Sequence, residues 1–348
     1  MKILAGDRPR STVLTLILLV ILICLALAPF LFPGVRSLET AARICIFIVL
    51  VASYDLLLGY TGIVSFAHTM FFGLGAYGVA LASVHMERGF GALAVGTVAG
   101  AVAAALLALV IGLFSLRVRA IFFAMITLAV ASAVAVLVSQ LSAITGGEDG
   151  LNYSIPRELT PAFRLGEVAG VRINGKLLNY YLVFGSSLML VLLLLRIVNS
   201  PFGRVLQAIR ENDFRAEAVG YRVVWYRVTA TCLSAAVAAL AGSLFAIWLR
   251  YVGPDTVLSF EIMLDILLMV VIGGMGTIYG AVVGATIFVL AQNYLQTLMG
   301  SAAEAVAGVP LLPDLLNPDR WLLWLGVLFI LSVYFFPTGI VGRLRGKA

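Results

Sequence analysis

Charged residues are scarce in this chain: Asp, Glu, Lys and Arg make up only 11% of its 348 residues. A soluble domain carries about 25% charged residues, so a chain of this composition cannot cover its own surface in water. Instead, 62% of the residues are hydrophobic and the mean hydropathy is +1.09. The apolar residues form long uninterrupted runs, which are typical of transmembrane helices.

Residues that carry chemistry are also few. There are only two histidines and three cysteines (Cys24, Cys45 and Cys232), and each cysteine lies inside an apolar run without a CxxC pair. We interpret these cysteines as small packing residues. No HExxH motif and no glycine-rich loop ending in Lys-Ser or Lys-Thr is present, so the chain is expected to bind no metal, to need no cofactor and to leave ATP binding to another protein. We expect no enzymatic activity.

The hydropathy pattern predicts an all-α, polytopic membrane protein that forms one transmembrane domain over residues 1–348. The predicted spans are 12–32, 41–58, 62–84, 91–115, 120–140, 178–198, 227–249, 261–276, 279–298 and 321–337. We interpret the first as a retained helix, because it is longer than the apolar core of a signal peptide. The long loop 141–177 divides the spans into two groups of five, which suggests two repeated halves, 12–140 and 178–337.

The distribution of basic residues predicts the orientation. With the N-terminus in the cytoplasm, more than half of the 23 Lys and Arg residues fall in cytoplasmic segments, as the positive-inside rule requires. Both termini are then cytoplasmic and 141–177 is an outer loop. The net charge of +6 therefore sets orientation; no aromatic-interleaved basic patch indicates nucleic acid.

The segment 199–226 is the only sizeable polar segment on the predicted cytoplasmic side. Ser200-Pro201 is a typical helix start, and Gly220 would end a second short helix. Small apolar residues between them recur at near-helical spacing, namely Val205, Ile209, Ala216 and Val219. The pattern predicts a helical hairpin with a small apolar ridge that a cytoplasmic partner could contact. For a generic membrane protein, a solvated loop is the simpler interpretation.

Several sequence blocks resemble the permease subunits of branched-chain amino acid ABC importers, the LivM type in particular. The matching blocks lie at residues 59–62, 65–68, 72–77, 117–128, 145–150, 200–204, 208–211, 216–221 and 271–280. The resemblance implies a bacterial inner-membrane subunit that pairs with a second permease, by expectation a LivH-type sister. It also implies two ABC ATPase subunits below the membrane and a periplasmic substrate-binding protein above it.

The resemblance gives the 199–221 hairpin the role of docking into the ATPases. The expected polar docking contacts are Arg204, Arg210, Glu211 and Glu217. Ala208, Ala216 and Gly220 are expected to allow close approach of the partner. Two positions depart from the family pattern, Tyr60 and Arg215, and they weaken the transfer of a particular substrate from other members.

Polar residues inside the spans are candidates for the translocation pathway, because such groups tend to face the interior of a bundle. Thr61, Ser65, His68 and Phe72 would share one helical face. The further candidates are Thr127 and Asp265. Helix–helix packing is the alternative interpretation for the same residues. Glycine-rich segments at Gly59–Gly78 and Gly273–Gly284 recur in both halves and also indicate a transport site.

Three functional alternatives stay open at the level of sequence. A urea or short-amide ABC permease has closely similar subunits. An ion-coupled secondary transporter would need no docking hairpin, and a structural or assembly protein would need neither paired glycine-rich spans nor polar faces. The hairpin segment is therefore the feature that separates an importer subunit from the last two.

Overall fold

The computed structural model describes residues 11–31, 34–115, 120–168, 171–305, 317–336 and 338–345. The basic N-terminal segment 1–10 lies outside the described residues, as does Arg117–Arg119 of the mid-region block. Within the described ranges the chain is a bundle of helices with two small pairs of strands.

A helix lies at each of the ten predicted spans. They are α1 (Thr12–Ala26) with the short α2 (Ala28–Leu31), α3 (Val35–Thr61), α4 (His68–His85), α5 (Phe90–Ser115), α6 (Ala120–Gln140), α8 (Gly175–Val198), α11 (Val223–Leu249), α13 (Phe260–Gly273), α14 (Ile278–Ala305) and α15 (Trp321–Phe335). Among the described residues, seven helices are long and apolar enough to cross a membrane. The all-α polytopic fold is thereby confirmed, whereas ten crossings and the repeated halves stay predictions.

Short elements cap the two ends of the bundle. The loop end is the end that carries residues 141–174, with α7 (Ser142–Thr145), β1 (Leu151–Asn152), β2 (Arg164–Val168) and β3 (Val171–Asn174). Strand β1 pairs with β4 (Tyr251–Val252), which follows α11, and α12 (Pro254–Val257) comes next. The predicted outer loop is thus partly folded, with β2 and β3 forming an antiparallel hairpin.

The hairpin end is the opposite end, which carries α9 (Pro201–Glu211) and α10 (Asp213–Ala218). A last helix, α16 (Gly339–Arg345), packs near the junction of α13 and α14. Helix α8 runs from the loop end to the hairpin end, and α11 returns.

The core is built around α3, which packs against α11, α14 and α8, and around the mutual contact of α4, α5 and α11. Glycines let these helices approach at backbone distance. A Cβ on Gly78 would lie 2.6 Å from the carbonyl oxygen of Gly96, and a Cβ on Gly96 would lie 2.6 Å from that of Gly78. Close packing of α4 on α5 therefore depends on the absence of a side chain at both positions.

Candidate functional site

The chain leaves helical geometry between α3 and α4. Helix α3 ends at Thr61 with Gly62 in the left-handed region (φ 73°), and α4 begins only at His68. The predicted span 62–84 was therefore wrong at its start, because residues 62–67 are not helical. For the same reason Thr61, Ser65, His68 and Phe72 do not share a helical face.

Helix α4 begins in the middle of the bundle. The His68 Nε2 atom lies 3.2 Å from the Ser53 hydroxyl of α3, and Ser53 is eight residues before Thr61, which is about 12 Å at 1.5 Å per residue. Residues 62–67 thus return along α3 into the bundle. Irregular backbone at membrane depth is tolerated where it is covered by protein or lines a cavity.

His68 is a packed core residue. Its ring is completely buried, and Nε2 lies 3.2 Å from both Ser53 Oγ and Ser234 Oγ. Each hydroxyl donates its own hydrogen to a backbone carbonyl, Ser53 to Leu50 and Ser234 to Ser53. The imidazole nitrogen therefore lies within hydrogen-bond distance of a hydroxyl from each of two neighbouring helices. His68 joins α3, α4 and α11.

A cavity of about 630 Å³ opens beside this break, and we call it the vestibule. Its inner wall is Phe66 and Thr69 from the break and Leu128 from α6, and its mouth at the loop end carries Glu148 and Asp255. The remaining lining residues are Ala131, Ser132, Ala135, Val136, Ser139, Pro254, Leu258, Ser259 and Phe260. Mixed apolar and polar walls suit an amphipathic small molecule.

None of the six pathway candidates is among the residues that line the vestibule. Thr61, Ser65, His68, Phe72 and Thr127 are all buried. Ser65 accepts from the backbone N–H of Ala67 at 3.3 Å, and Thr127 accepts from that of Phe66 at 3.1 Å. Asp265 is half-buried and its carboxylate accepts from Gln292 of α14 at 3.5 Å.

Three of the pathway candidates are direct sequence neighbours of lining residues: Phe66, Thr69 and Leu128 line the vestibule, and Ser65, His68 and Thr127 do not. The non-helical segment 62–67 shifts the phase between α3 and α4, so helical spacing does not relate residues of the two helices. Polarity alone favours Ser, Thr and His as pathway residues, whereas the wall of the vestibule includes the apolar side chains of Phe66 and Leu128.

The second glycine-rich segment contacts the end of α3. The backbone N–H of Gly276, in the turn between α13 and α14, donates to the Asp55 carboxylate at 2.8 Å. A Cβ on Gly59 would lie 2.3 Å from the nitrogen of Gly276. The two segments that recur in the two halves of the sequence therefore meet in one place, at the hairpin end of α3.

The predicted helical hairpin is confirmed by the structure of α9 and α10. Ser200 caps α9 by accepting from the N–H of Gly203, with Pro201 in the first turn. Asn212 separates the two helices and caps α10 by accepting from the N–H of Arg215 at 2.8 Å. Gly220 ends the hairpin with φ 101°, a conformation that other residues rarely adopt.

One of the expected docking residues, Ala216, is buried, and an exposed one, Arg210, contacts α3. Ala216 is buried in a small cluster with Ile209 and Val223, so its small size serves packing within the hairpin. Arg210 donates from its guanidinium to the carbonyl oxygen of Gly59. Val219, the last residue of the predicted apolar ridge, lies outside this cluster and is 72% exposed.

The other expected docking residues are exposed, namely Arg204, Ala208, Glu211, Glu217 and Gly220. Large apolar side chains lie among them: Phe214 is 79% exposed, Val219 72% and Trp225 56%. Phe214 was not among the expected contacts, although an aromatic side chain between Asp213 and Arg215 in a polar segment was itself visible in the sequence. Exposed apolar groups of this kind mark contact surfaces.

Apolar spanning helices, a cavity that ends at a broken helix and a surface hairpin define a polytopic membrane transport protein. The family described as "Branched-chain amino acid transport system / permease component" matches residues 37–333. The chain belongs to this family, which is one of transport permeases and not of enzymes. Membership implies that the chain works together with other ABC transport components.

Named relatives agree with this assignment. The chain is similar to the high-affinity branched-chain amino acid transport system permease protein LivM of Salmonella typhimurium and to that of Escherichia coli. Each is 28% identical over 328 residues, which covers 89% of this chain and 75% of the relative. The probable branched-chain amino acid transport permease protein LivM of Methanocaldococcus jannaschii is 29% identical over 148 residues, 42% of this chain and 41% of the relative. No solved structure matches the chain.

Proposed function

We propose that this chain is a permease subunit of an ABC importer for branched-chain or related hydrophobic or aromatic amino acids in the bacterial inner membrane. The observation that carries the proposal is the vestibule, which begins at the loop end and stops inside the bundle at the break between α3 and α4. The loop end faces the periplasm and the hairpin end faces the cytoplasm, together with both termini. Family membership and the names of the relatives support the substrate class.

The proposed assembly has four kinds of component. A LivH-type sister permease packs against the open side of the vestibule, where Ser132 and Val136 of α6 are exposed. A periplasmic binding protein docks at the loop end near Asp255. Two ABC ATPase subunits bind the α9–α10 hairpin. Their motion, driven by ATP, switches access to the pathway by a rigid-body change.

The vestibule wall suits the proposed substrate. Phe66, Leu128 and Leu258 can contact a hydrocarbon side chain, and Thr69 and Ser132 offer hydroxyls to the polar end of an amino acid. The six pathway candidates are proposed to shape this wall from behind. The substrate is therefore expected to pass along the lining residues and not along the buried polar cluster.

Filling the vestibule is expected to block uptake. Ser132→Trp places an indole in the cavity, and we expect leucine uptake by the reconstituted importer to fall about tenfold or more, because a ligand pocket of this size class holds only one small molecule. Ala133→Trp is the matched control, since Ala133 is adjacent, exposed and not part of the lining. Equal uptake in the two variants would show that the vestibule is not the pathway.

The docking role of the hairpin is tested at its exposed aromatic residue. Phe214→Ala removes a side chain that is 79% exposed, so folding should be unaffected, whereas ATPase retention in mild detergent should fall about tenfold or more if Phe214 is a central contact. Phe114→Ala is the control, because Phe114 is also 79% exposed but lies on α5. If wild type retains no ATPase in several detergents, the importer proposal fails and an ion-coupled transporter becomes the better hypothesis.

A urea or short-amide ABC permease is the second candidate within the same class. It shares the hairpin and the pairing, so docking experiments do not separate it. The apolar wall residues Phe66, Leu128 and Leu258 favour a hydrocarbon side chain over a small polar amide. Competition between leucine and urea in the reconstituted importer distinguishes the two.

A further inference from the structure

Helix α4 begins without a side-chain cap beside the inner wall of the vestibule. Its N-cap residue is Ala67, whose side chain cannot accept a hydrogen bond. The first N–H of the helix that bonds a carbonyl oxygen is that of Phe71, which donates to Ala67 at 3.1 Å. In the part of the chain that the structure describes, the N–H groups of His68, Thr69 and Met70 have no acceptor. The start of α4 therefore presents unsatisfied donors in the middle of the bundle.

The hydroxyl of Thr69 is a further unsatisfied group at the same place. Thr69 is only 2% exposed, and it lines the vestibule. A threonine in a helix often bonds its hydroxyl to the carbonyl oxygen four residues earlier, but that residue is Ser65, which lies in the non-helical segment 62–67. No described residue forms a hydrogen bond with the Thr69 hydroxyl. Since buried polar groups are nearly always paired, this hydroxyl requires an acceptor in the vestibule.

Charge is unevenly distributed along the vestibule. Among its described lining residues the charged side chains are Glu148 and Asp255, and both lie at the mouth. Neither Lys nor Arg is among these lining residues, so the start of α4 supplies the positive end of the cavity. Low-dielectric walls concentrate such a field. The inner end of the vestibule therefore attracts an anionic group, and the mouth attracts a cationic one.

Apolar side chains form much of the remaining wall. Phe66, Leu128 and Leu258 line the cavity, and the ring centre of Phe66 lies 6.2 Å from that of Phe260, which is another lining residue. These side chains form no hydrogen bonds with a ligand, so they suit a hydrocarbon group. A molecule that matches the whole cavity has an anionic group, a cationic group and an apolar side chain.

We propose that the start of α4 binds the carboxylate group of an α-amino acid. The carboxylate accepts from the hydroxyl and from the backbone N–H of Thr69, because the start of a helix favours an anion. The ammonium group is directed toward Glu148 and Asp255, and the hydrocarbon side chain lies against the apolar wall. This inference rests on the proposed function, and it makes Thr69 a residue that distinguishes an amino acid from an uncharged amide.

The test is protection of a thiol in the vestibule of the purified full chain from a neutral maleimide. Ser132→Cys supplies the thiol in a chain whose three native cysteines are replaced by alanine. Leucine should slow the labelling. Leucinamide keeps the ammonium group but has no carboxylate, so it should need an about tenfold higher concentration for the same effect. Ala133→Cys is the control, because Ala133 is exposed and outside the lining, and its labelling should respond to neither compound.

Thr69→Val removes the hydroxyl and nearly keeps the shape of the side chain. The concentration of leucine that gives half protection should rise about tenfold, whereas that of leucinamide should stay within about twofold. A merely structural role of Thr69 would raise both concentrations alike. Thr231→Val is the matched control, because Thr231 is a buried threonine of α11 that does not line the vestibule, and it should change neither concentration.

Neutralising the mouth tests the other end of the vestibule. Glu148→Gln/Asp255→Asn should raise the half-protecting concentration of leucine about threefold. It should lower that of 4-methyl-2-oxopentanoate, which has a carboxylate and the side chain of leucine but no ammonium group. Glu87→Gln/Glu158→Gln removes two charges from exposed positions outside the vestibule and should change neither concentration. Identical results for the two double variants would refute the proposed direction of the ammonium group.

The carboxylate site and the importer proposal fail in different ways. Equal protection by leucine and leucinamide, an equal effect of Thr69→Val on both, or no protection by leucine would each overturn the carboxylate site. Uptake of leucine by the reconstituted importer is measured in parallel with Thr69 unchanged. Uptake without selective protection would refute this site alone, whereas absence of uptake would refute the importer proposal.

Discussion

The substitution Gly242→Leu is expected to leave almost no folded protein in the membrane. A Cβ at this position would lie 1.9 Å from the carbonyl oxygen of Phe72 on α4. The reciprocal contact is equally tight, since a Cβ on Gly75 would lie 1.8 Å from the carbonyl oxygen of Ala239 on α11. Both obstacles are backbone atoms, so no change of side-chain rotamer relieves them.

The loss of stability arises because α4 and α11 must move apart. Separating α4 from α11 also breaks the bond from the Ser243 hydroxyl to the carbonyl oxygen of Gly75, which is 3.1 Å long, and it opens the core around the fully buried Phe72. Ordinary overpacking costs about 1–3 kcal/mol, and a backbone collision belongs to the class above about 4 kcal/mol. A native state is stable by only about 5–15 kcal/mol.

The measurement is the yield of monodisperse protein in size-exclusion chromatography, followed by a thermal melt of whatever elutes. Gly185→Leu is the control, because Gly185 lies on α8 with no atom within 4 Å of the position of a Cβ. It makes the same change in residue type at an open position and should behave like wild type. Normal yield and melting of Gly242→Leu would mean that α4 and α11 do not cross at these glycines.

Arg210→Ala is expected to uncouple ATP hydrolysis from transport in the proposed importer. Arg210 extends from α9 to the carbonyl oxygen of Gly59, beside the place where the Asp55 carboxylate binds the turn between α13 and α14. Arg210 thus connects the hairpin to α3 at Gly59, and the Asp55 carboxylate of the same helix connects α3 to Gly276. Coupling free energies are typically about 1–3 kcal/mol, so the number of substrate molecules moved per ATP should fall by about tenfold.

Retention of the ATPase should be nearly unchanged in Arg210→Ala, because its guanidinium faces the permease. This separates it from Phe214→Ala, which is expected to weaken retention itself. Arg215→Ala serves as the control for the loss of one positive charge, since Arg215 is exposed and its recorded contacts use backbone atoms. A transport-to-hydrolysis ratio equal to that of wild type would refute the role of Arg210 as the link.

Substitution of Ala216 is not a clean test of docking. The family resemblance implied that Ala216 allows close approach of the ATPase, which would make a bulky residue there the direct test. In the structure Ala216 packs on Ile209 and Val223, so Ala216→Trp would disrupt the hairpin before any partner is involved. Gly220 is similarly unsuitable, because its φ of 101° strains any other residue.

Hydropathy predicted the helices well. Ranges such as 120–140 and 178–198 agree with α6 and α8 to within three residues, because a spanning helix is defined by a continuous apolar stretch that a local window detects. The prediction failed at 62–67, where the chain is apolar but not helical. The composition of residues 62–67 is compatible with a helix and with a cavity wall. Only the contacts of Phe66 and His68 with other helices distinguish the two structures.

The sequence by itself determined the membrane class, the position of the helices, the existence of the hairpin and the family, because each is encoded in local hydropathy or in short motifs. Only the tertiary structure decided which residues line the vestibule, that the Arg210 guanidinium contacts α3 and that Ala216 packs inside the hairpin. Phe66 and Leu128 of the vestibule are 62 positions apart along the chain and Arg210 is 151 positions from Gly59, so their convergence depends on how the helices pack. Side-chain direction on a helix follows from its neighbours, and no local pattern contains that information.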